Sequence, residues 1–302
     1  MLEIRRCADD ADLERSLAIY NAVFPSEAVT MDEVHSFISQ TLDYGDFIGP
    51  GGSVAVGVMP QRPDVGFVML GVLPDHRRRG VGTALYRAVS AWLAERDVHR
   101  IDVPVHEDDE EAIAFAERRG FQEVERNRRM VLDLTTLDPL PVEPPAGVEI
   151  VSWAERPDLA GGIYEVACEA FPDIPGGEDE LMEPFVDWLA HHMQGSGDLP
   201  EATFVAVAGS EVVGYAKFSL TAAQPTTANH DMTGVKRAWR GRGIAGALKR
   251  AQIAWAKERG YELLATQNEL RNEPIRRLNN RLGYREAPGR IIFRGPLAKG
   301  TS

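Results

Sequence analysis

Two short stretches of the chain, Arg77-Arg78-Arg79-Gly80-Val81-Gly82 and Arg240-Gly241-Arg242-Gly243-Ile244-Ala245, combine arginine and glycine in the way an anion site requires. Glycine lets the backbone approach a ligand closely and adopt positive φ. Where such a stretch leads from a strand into a helix, several N–H groups without intrahelical acceptors point at one spot. At the positive end of a helix dipole, flanked by guanidinium groups, that spot suits a pyrophosphate. Neither stretch has the Lys-Ser/Thr of an NTPase loop, and neither has three glycines at dinucleotide-binding spacing. A turn of this composition can also simply join a strand to a solvated helix, but two occurrences in register argue against that reading.

The register is exact. Arg77 and Arg240, Gly80 and Gly243, Trp92 and Trp255, and Gly120 and Gly283 each stand 163 residues apart, which marks a duplication. Nearer the start the separation is 146 for Ile4 and Ile150, and 147 for Phe24-Pro25 and Phe171-Pro172, so the second copy carries about sixteen extra residues before its loop. Between the copies, residues 137–147 hold four prolines, which lack donors and fix φ, and read as a stiff linker. The 302 residues then divide into two domains, 1–136 and 148–302, each long enough for its own core.

The elements that must hold the loops can be read around them. Each copy begins with a short strand and two helix-period segments, 11–24 and 31–42 or 157–171 and 180–193. In the second copy the β-rich runs 203–208 and 212–220 flank Gly209-Ser210-Glu211 and predict a hairpin; the first-copy counterpart is expected at 53–59 and 65–73. After each loop an apolar stripe, Val81, Leu85, Ala88 and Trp92 or Ile244, Leu248, Ala251 and Trp255, predicts an amphipathic helix. A strand follows at 100–105 or 262–266, then a helix stopped by Gly120-Phe121 or Gly283-Tyr284, then a closing strand at 128–134 or 289–294. The fold class is α/β, with a mixed layer in each copy.

Composition narrows the partners. A formal charge of −13 argues against non-specific nucleic-acid binding, which draws on Lys and Arg. Apolar runs fall far short of the roughly 20 residues a membrane span needs, and the start of the sequence offers no signal-like stretch, so a cytoplasmic protein without a membrane partner is expected. Cys7 and Cys168 are too few for a disulfide framework or cysteine metal site and read as core thiols. His191-His192 has no third ligand at metal spacing, so no metal is expected. Trp153, Trp188 and Trp239 suit a core or an acceptor cleft, and Trp239, just before Arg240, could also cover a cofactor face.

The pattern Arg-x-x-Gly-x-Gly/Ala between strand and helix, followed by the block from Asn272 through Leu278 and Leu282 to Gly283-Tyr284, resembles the GCN5-related N-acetyltransferase (GNAT) family. The resemblance covers nearly the whole chain and implies two tandem domains, each a mixed central β-sheet flanked by helices. It implies acetyl-CoA as acyl donor, its pyrophosphate on Arg77 to Gly82 and Arg240 to Ala245 and its pantetheine between two splayed strands. Gly71 and Val72, or Gly234 and Val235, would border the pantetheine and thioester. The implied reaction transfers an acetyl group to a primary amine, with a small molecule as the expected acceptor.

The copies differ where chemistry belongs. The family commonly places a tyrosine four residues before the Gly-Phe; here those positions are Ala116 and Asn279, and the last helix begins near Asp109 or Asn272. Ala116 can move no proton, and the run Asp108-Asp109-Glu110-Glu111 would repel phosphates if it faced the cleft. The first domain is therefore expected to be a weak binder or a scaffold, with catalysis in the second on a polar cluster of Asn268, Asn272 and Asn279. An asparagine has no useful pKa and could only hydrogen-bond the sulfur or orient a water. An amine acceptor arrives charged, so a base is needed; Asp231 and His230 are the candidates, and the plain alternative for both is an exposed strand end. A strand N–H near Val235 would meet the charge developing on the thioester oxygen. Two missing tyrosines also suit a protein that binds acyl-CoA without turnover.

Overall fold

The computed structural model describes residues 2–138, 141–174, 182–195 and 197–299. In chain order its elements are β1 (Arg5–Arg6), α1 (Asp10–Val23), α2 (Met31–Ser39), β2 (Asp43–Gly49), β3 (Gly52–Val58), β4 (Val65–Val72), α3 (Val81–Ala94), β5 (Arg100–His106), α4 (Glu110–Glu117) and β6 (Gln122–Asp133). The second half continues with β7 (Glu149–Ser152), α5 (Ala160–Ala170), α6 (Phe185–Met193), β8 (Thr203–Ala208), β9 (Glu211–Ser219), β10 (Thr227–Val235), α7 (Ile244–Glu258), β11 (Leu263–Glu269), α8 (Glu273–Arg281) and β12 (Arg285–Pro296). Pro139 and Leu140 of the proline-rich join, and the first residues of the segment expected at 180–193, lie outside the described residues. No described helix is long and apolar enough to cross a membrane.

Local chemistry explains the helix starts. Asp9 caps α1 by accepting from the Asp12 amide at 3.0 Å. Thr30 and Glu33 form a reciprocal capping box on α2. In α3 and α7 the anticipated stripes face inward: Val81, Leu85 and Trp92 are buried in the first, Ile244, Leu248 and Ala251 in the second.

The chain forms two compact units, one of residues 1–126 with 288–302 and one of residues 127–287. They do not coincide with the sequence repeats at 1–136 and 148–302, because the closing strands are exchanged. In the first unit β5 pairs antiparallel with β12, from Arg290 opposite His106 to Pro296 opposite Arg100. In the second, β11 pairs antiparallel with the later part of β6, from Leu263 opposite Asp133 to Glu269 opposite Asn127. The strand order is thus β1-β2-β3-β4-β5-β12 in the first unit and β6-β11-β10-β9-β8-β7 in the second.

The expected second-copy hairpin is present as β8 and β9. The strands expected at 53–59 and 65–73 are present as β3 and β4, paired antiparallel from Gly52 opposite Val72 to Val58 opposite Gly66, but in strand order the counterpart of β8 and β9 is β2 and β3, which meet across Gly49–Gly52. The pattern of β2 is obscured by Gly45, where a Cβ would lie 2.9 Å from the Trp92 ring, and by Asp46, a buried carboxylate that accepts from Ser16 on α1 and from Tyr44 on its own strand.

One irregularity positions the site. The parallel strands β4 and β5 pair only from Val65 opposite Arg100 to Phe67 opposite Asp102, although they continue to Val72 and His106. Strands β10 and β11 likewise pair only from Thr227 to Asn229. Each unit therefore has a wedge between two parallel strands that splay toward the end leading into the Arg-Gly loop. The second unit adds a register shift in β10 between His230 and Thr233, absent from β4.

Candidate active site

Both loops have the anticipated geometry. Gly80 and Gly243 adopt φ of 85° and 88° and stand at the N-caps of α3 and α7 without a side-chain cap. The first intrahelical bonds run from Ala84 N to Gly80 O at 3.0 Å and from Ala247 N to Gly243 O at 3.1 Å. The amides of Val81, Gly82 and Thr83, or Ile244, Ala245 and Gly246, have no acceptor inside their own helices and carry the positive end of the dipole. The leading arginines do more than supply charge. Arg77 Nε donates to Val72 O at 3.2 Å and Arg240 Nε to Val235 O at 2.9 Å, so in each unit one guanidinium braces the loop against the end of the splayed strand.

The loop charges are partly spoken for. Arg77 lies 3.9 Å from both Asp109 and Glu111, and Arg78 lies 3.8 Å from Glu111, so the acidic start of α4 does face the first loop. In the second unit Asp173 receives a bidentate bond from Arg237 and a 2.7 Å contact from Arg240. Those guanidinium bonds hold its carboxyl down to about 2. Arg242 stacks over Trp239 at 4.7 Å, while Trp153 and Trp188 are core residues.

In the first unit the wedge encloses a cavity of about 390 Å³, within the range of small-molecule sites. The loop from Gly80 to Thr83 forms part of its lining, with apolar β4 and β5 side chains such as Val68 and Val105 as walls and Ala116 beneath. His106, the last residue of β5, also lines it, stacked on Phe24 with ring centroids 5.8 Å apart. His106 Nε2 lies 3.4 Å from Glu27 Oε1, and the other Glu27 oxygen meets the Arg290 guanidinium. Sequence reading missed this group. Glu27 follows the Phe24-Pro25 pair used to align the copies, but Arg290 arrives on the exchanged strand, for which no local signal exists.

The second wedge is more polar. Asn279 is fully buried and donates through Nδ2 to Asn268 Oδ1 at 2.9 Å, while its own Oδ1 is buried without a partner. Asn272 is at the N-cap of α8, its side chain making no capping bond. The structure thus brings Asn268 and Asn279 together but does not bond Asn272 to them. Asp231 is half-exposed and ion-paired with Lys217 at 2.9 Å; Lys217 also holds Asp198 at 2.6 Å and the His192 carbonyl.

His230 is neither an exposed strand end nor a free base. It is buried, with Nδ1 3.0 Å from Gln252 Oε1 and Nε2 against the Tyr284 hydroxyl. Burial, reinforced by nearby Lys249, keeps it well below the usual histidine range and therefore neutral. Burial also lowers Lys249, 5.6 Å from the Tyr284 ring, to about 7.

A family model described as the acetyltransferase (GNAT) family matches this chain twice, over residues 12–121 and 161–284. A mycothiol acetyltransferase from Catenulispora acidiphila is 26% identical over 241 residues, covering 74% of this chain and 70% of that protein. Among solved structures, a tandem GNAT protein from the clavulanic acid biosynthesis pathway covers the whole of both chains with a TM-score of 0.79 at 20% identity. A GCN5-related N-acetyltransferase from Sphaerobacter thermophilus gives a TM-score of 0.75 at 22% identity, covering 100% of this chain and 97% of that one. Together with the doubled loop and the two splayed wedges, the paired match means that the chain belongs to the acetyltransferase (GNAT) family.

Proposed function

We propose that this protein transfers the acetyl group of acetyl-CoA to a primary amine on a small molecule. The observation that carries the reading is the first-unit cavity, which has outward-facing amides at its loop and apolar walls between strands that have let go of one another. These features fit the donor: Arg77, Arg78, Arg79, Gly80, Val81 and Gly82 would hold the pyrophosphate, and Val72 would border the pantetheine arm. The bound donor supplies an activated thioester. Because Asp109 and Glu111 already face Arg77 and Arg78, the amides are the stronger part of the phosphate cradle. The name mycothiol acetyltransferase carried by a relative supports an acetyl donor.

The second unit is proposed as a second donor site, on Arg240, Gly241, Arg242, Gly243, Ile244 and Ala245 with Gly234 and Val235 at the strand end. There Asn279 can accept a hydrogen bond at its unpartnered Oδ1 but moves no proton. Asp231 can serve as base only after an acceptor displaces Lys217 from it.

Calorimetric titration of acetyl-CoA into wild type, Arg77→Glu/Gly80→Asp and Arg240→Glu/Gly243→Asp tests the donor sites. Two sites in wild type, with one lost in each variant, are expected. Thiol release with an amine panel tests transfer. Binding with no release from any amine at any pH would favour the second reading, an acyl-CoA-binding protein without turnover, which the Ala116 and Asn279 positions support.

A further inference from the structure

The cavity of the first unit has a histidine at the strand end that borders it, backed by a carboxylate and a guanidinium. We infer that His106 is the base that takes the proton from the acceptor amine in the first unit, held in place by Glu27 and Arg290. The inference rests on the acyl-transfer reading above and gives it a residue and a unit.

Three elements converge on this point. β5 delivers His106 into the cavity lining at the place where β4 has already diverged. The turn after α1 delivers Glu27, whose side chain is 11% exposed and whose Oε1 is 3.4 Å from His106 Nε2. The exchanged strand β12 delivers Arg290, directly opposite His106 in the antiparallel ladder. Opposed residues in such a ladder put their side chains on the same face, so the exchange sets Arg290 beside His106, and Glu27 bridges the two. Phe24 stacks on the imidazole and limits its rotation. Tyr20 on α1 bonds Arg290; Asp109 and Glu111 are the acidic groups of the cavity lining, turned toward Arg77 and Arg78, and Arg118 and Arg119 line it as well.

This is the arrangement a base requires. Nε2 is turned to a carboxylate, which favours the tautomer protonated there and leaves Nδ1 as the nitrogen with a free lone pair. In the free protein Nε2 is buried 3.4 Å from Glu27 Oε1 without a hydrogen bond, and catalytic hydrogen bonds commonly tighten only when substrate is bound. The charged acceptor first gives one proton to solvent; the imidazole takes the second, which the nitrogen loses as its bond to the acyl carbon forms and the carbon–sulfur bond breaks. The departing thiolate takes up that proton, so the products are an amide and a free thiol. Glu27 and Arg290 are positioning residues. They touch neither substrate but fix the ring that does.

The test uses the full chain. His106→Gln should lower kcat by about 100-fold to 10,000-fold, remove the acid limb of the pH profile and leave acetyl-CoA binding by calorimetry unchanged. Glu27→Gln should lower kcat roughly 10-fold or more with KM for acetyl-CoA unchanged. His106→Ala should recover part of its rate with added imidazole, which a purely structural role would not allow. Independently of turnover, diethyl pyrocarbonate should modify His106 in the free protein, and acetyl-CoA should protect it. Thiol release with an unaltered acid limb in His106→Gln, or labelling unaffected by acetyl-CoA, overturns the assignment and leaves acyl transfer standing. A wild type that releases thiol with no amine at any pH overturns acyl transfer and this base together.

Discussion

Arg78 adopts φ of 61°, a left-handed conformation that suits glycine, and the second copy has glycine at the matching position, Gly241, with φ of 75°. The loop requires that turn whatever side chain occupies it. Arg78→Gly should therefore stabilise the first unit by about 0.5–1 kcal/mol, the relief of strain being offset in part by the freer unfolded chain; urea denaturation measures it. Asp46 makes a pH prediction at the same scale. Its carboxylate accepts from Ser16 Oγ at 2.7 Å and from the Tyr44 hydroxyl at 2.9 Å, with Cys7 Sγ at 3.5 Å. Burial outweighs these donors and raises it from 3.8 to about 6. Because the folded value lies above the unfolded one, the fold favours the protonated form. The contribution of Asp46 to stability should be fully present below about pH 4 and fall by about 2–3 kcal/mol as pH rises to 6. Asp46→Asn should flatten that slope in unfolding curves taken across the window.

Among the elements, β12 is held in the first unit by more than its ladder. Arg294 makes a bidentate bond to Asp102 at 2.7 and 2.8 Å, and Arg62 reaches the same buried carboxylate at 3.0 Å. Tyr86 donates its hydroxyl to Pro296 O at 2.8 Å. Gly295 lies so close under Phe121 that a Cβ there would sit 2.3 Å from the ring. Arg294→Ala should cost about 3 kcal/mol, since it leaves Asp102 buried with one partner; Arg294→Met with Asp102→Leu should recover most of the loss. Thermal unfolding of the two variants separates an uncompensated charge from lost strand pairing. The expected helices α3 and α7 were legible because their stripes repeat at helical spacing. Strand β2 was not, because Gly45 and Asp46 owe their presence to Trp92, Ser16 and Tyr44 rather than to strand alternation.

For the whole molecule, the exchange means that neither repeat contains all of a unit. A chain ended at Ala287 should keep the fold of residues 127–287 but leave β5 without its antiparallel partner, so hydrogen exchange should show loss of protection confined to residues 2–126. A fragment of residues 1–136 should fail in the same way, whereas adding a peptide of residues 288–299 in trans should restore protection in β5. If the truncated chain protects β5 as well as the full chain does, the exchanged strand contributes no stability.

The sequence by itself determined the duplication, the two Arg-Gly loops, the helices that follow them and the family, because each depends on short-range signals. Glycine sets which φ values are open, apolar spacing sets which face a helix buries, and a repeated register survives without any knowledge of contacts. Only the tertiary structure decided which strand closes which sheet, since β6 and β12 both read as strands and a strand's local pattern does not name its partner. It also decided that Asn279 meets Asn268 while Asn272 does not bond to them, and that His230 belongs to a buried hydrogen-bonded group rather than a strand end. The meeting of His106, Glu27 and Arg290 follows from the same cause. Those residues come from the middle, the start and the end of the chain, and only the packing of β5 against β12 and the turn after α1 puts them in one place.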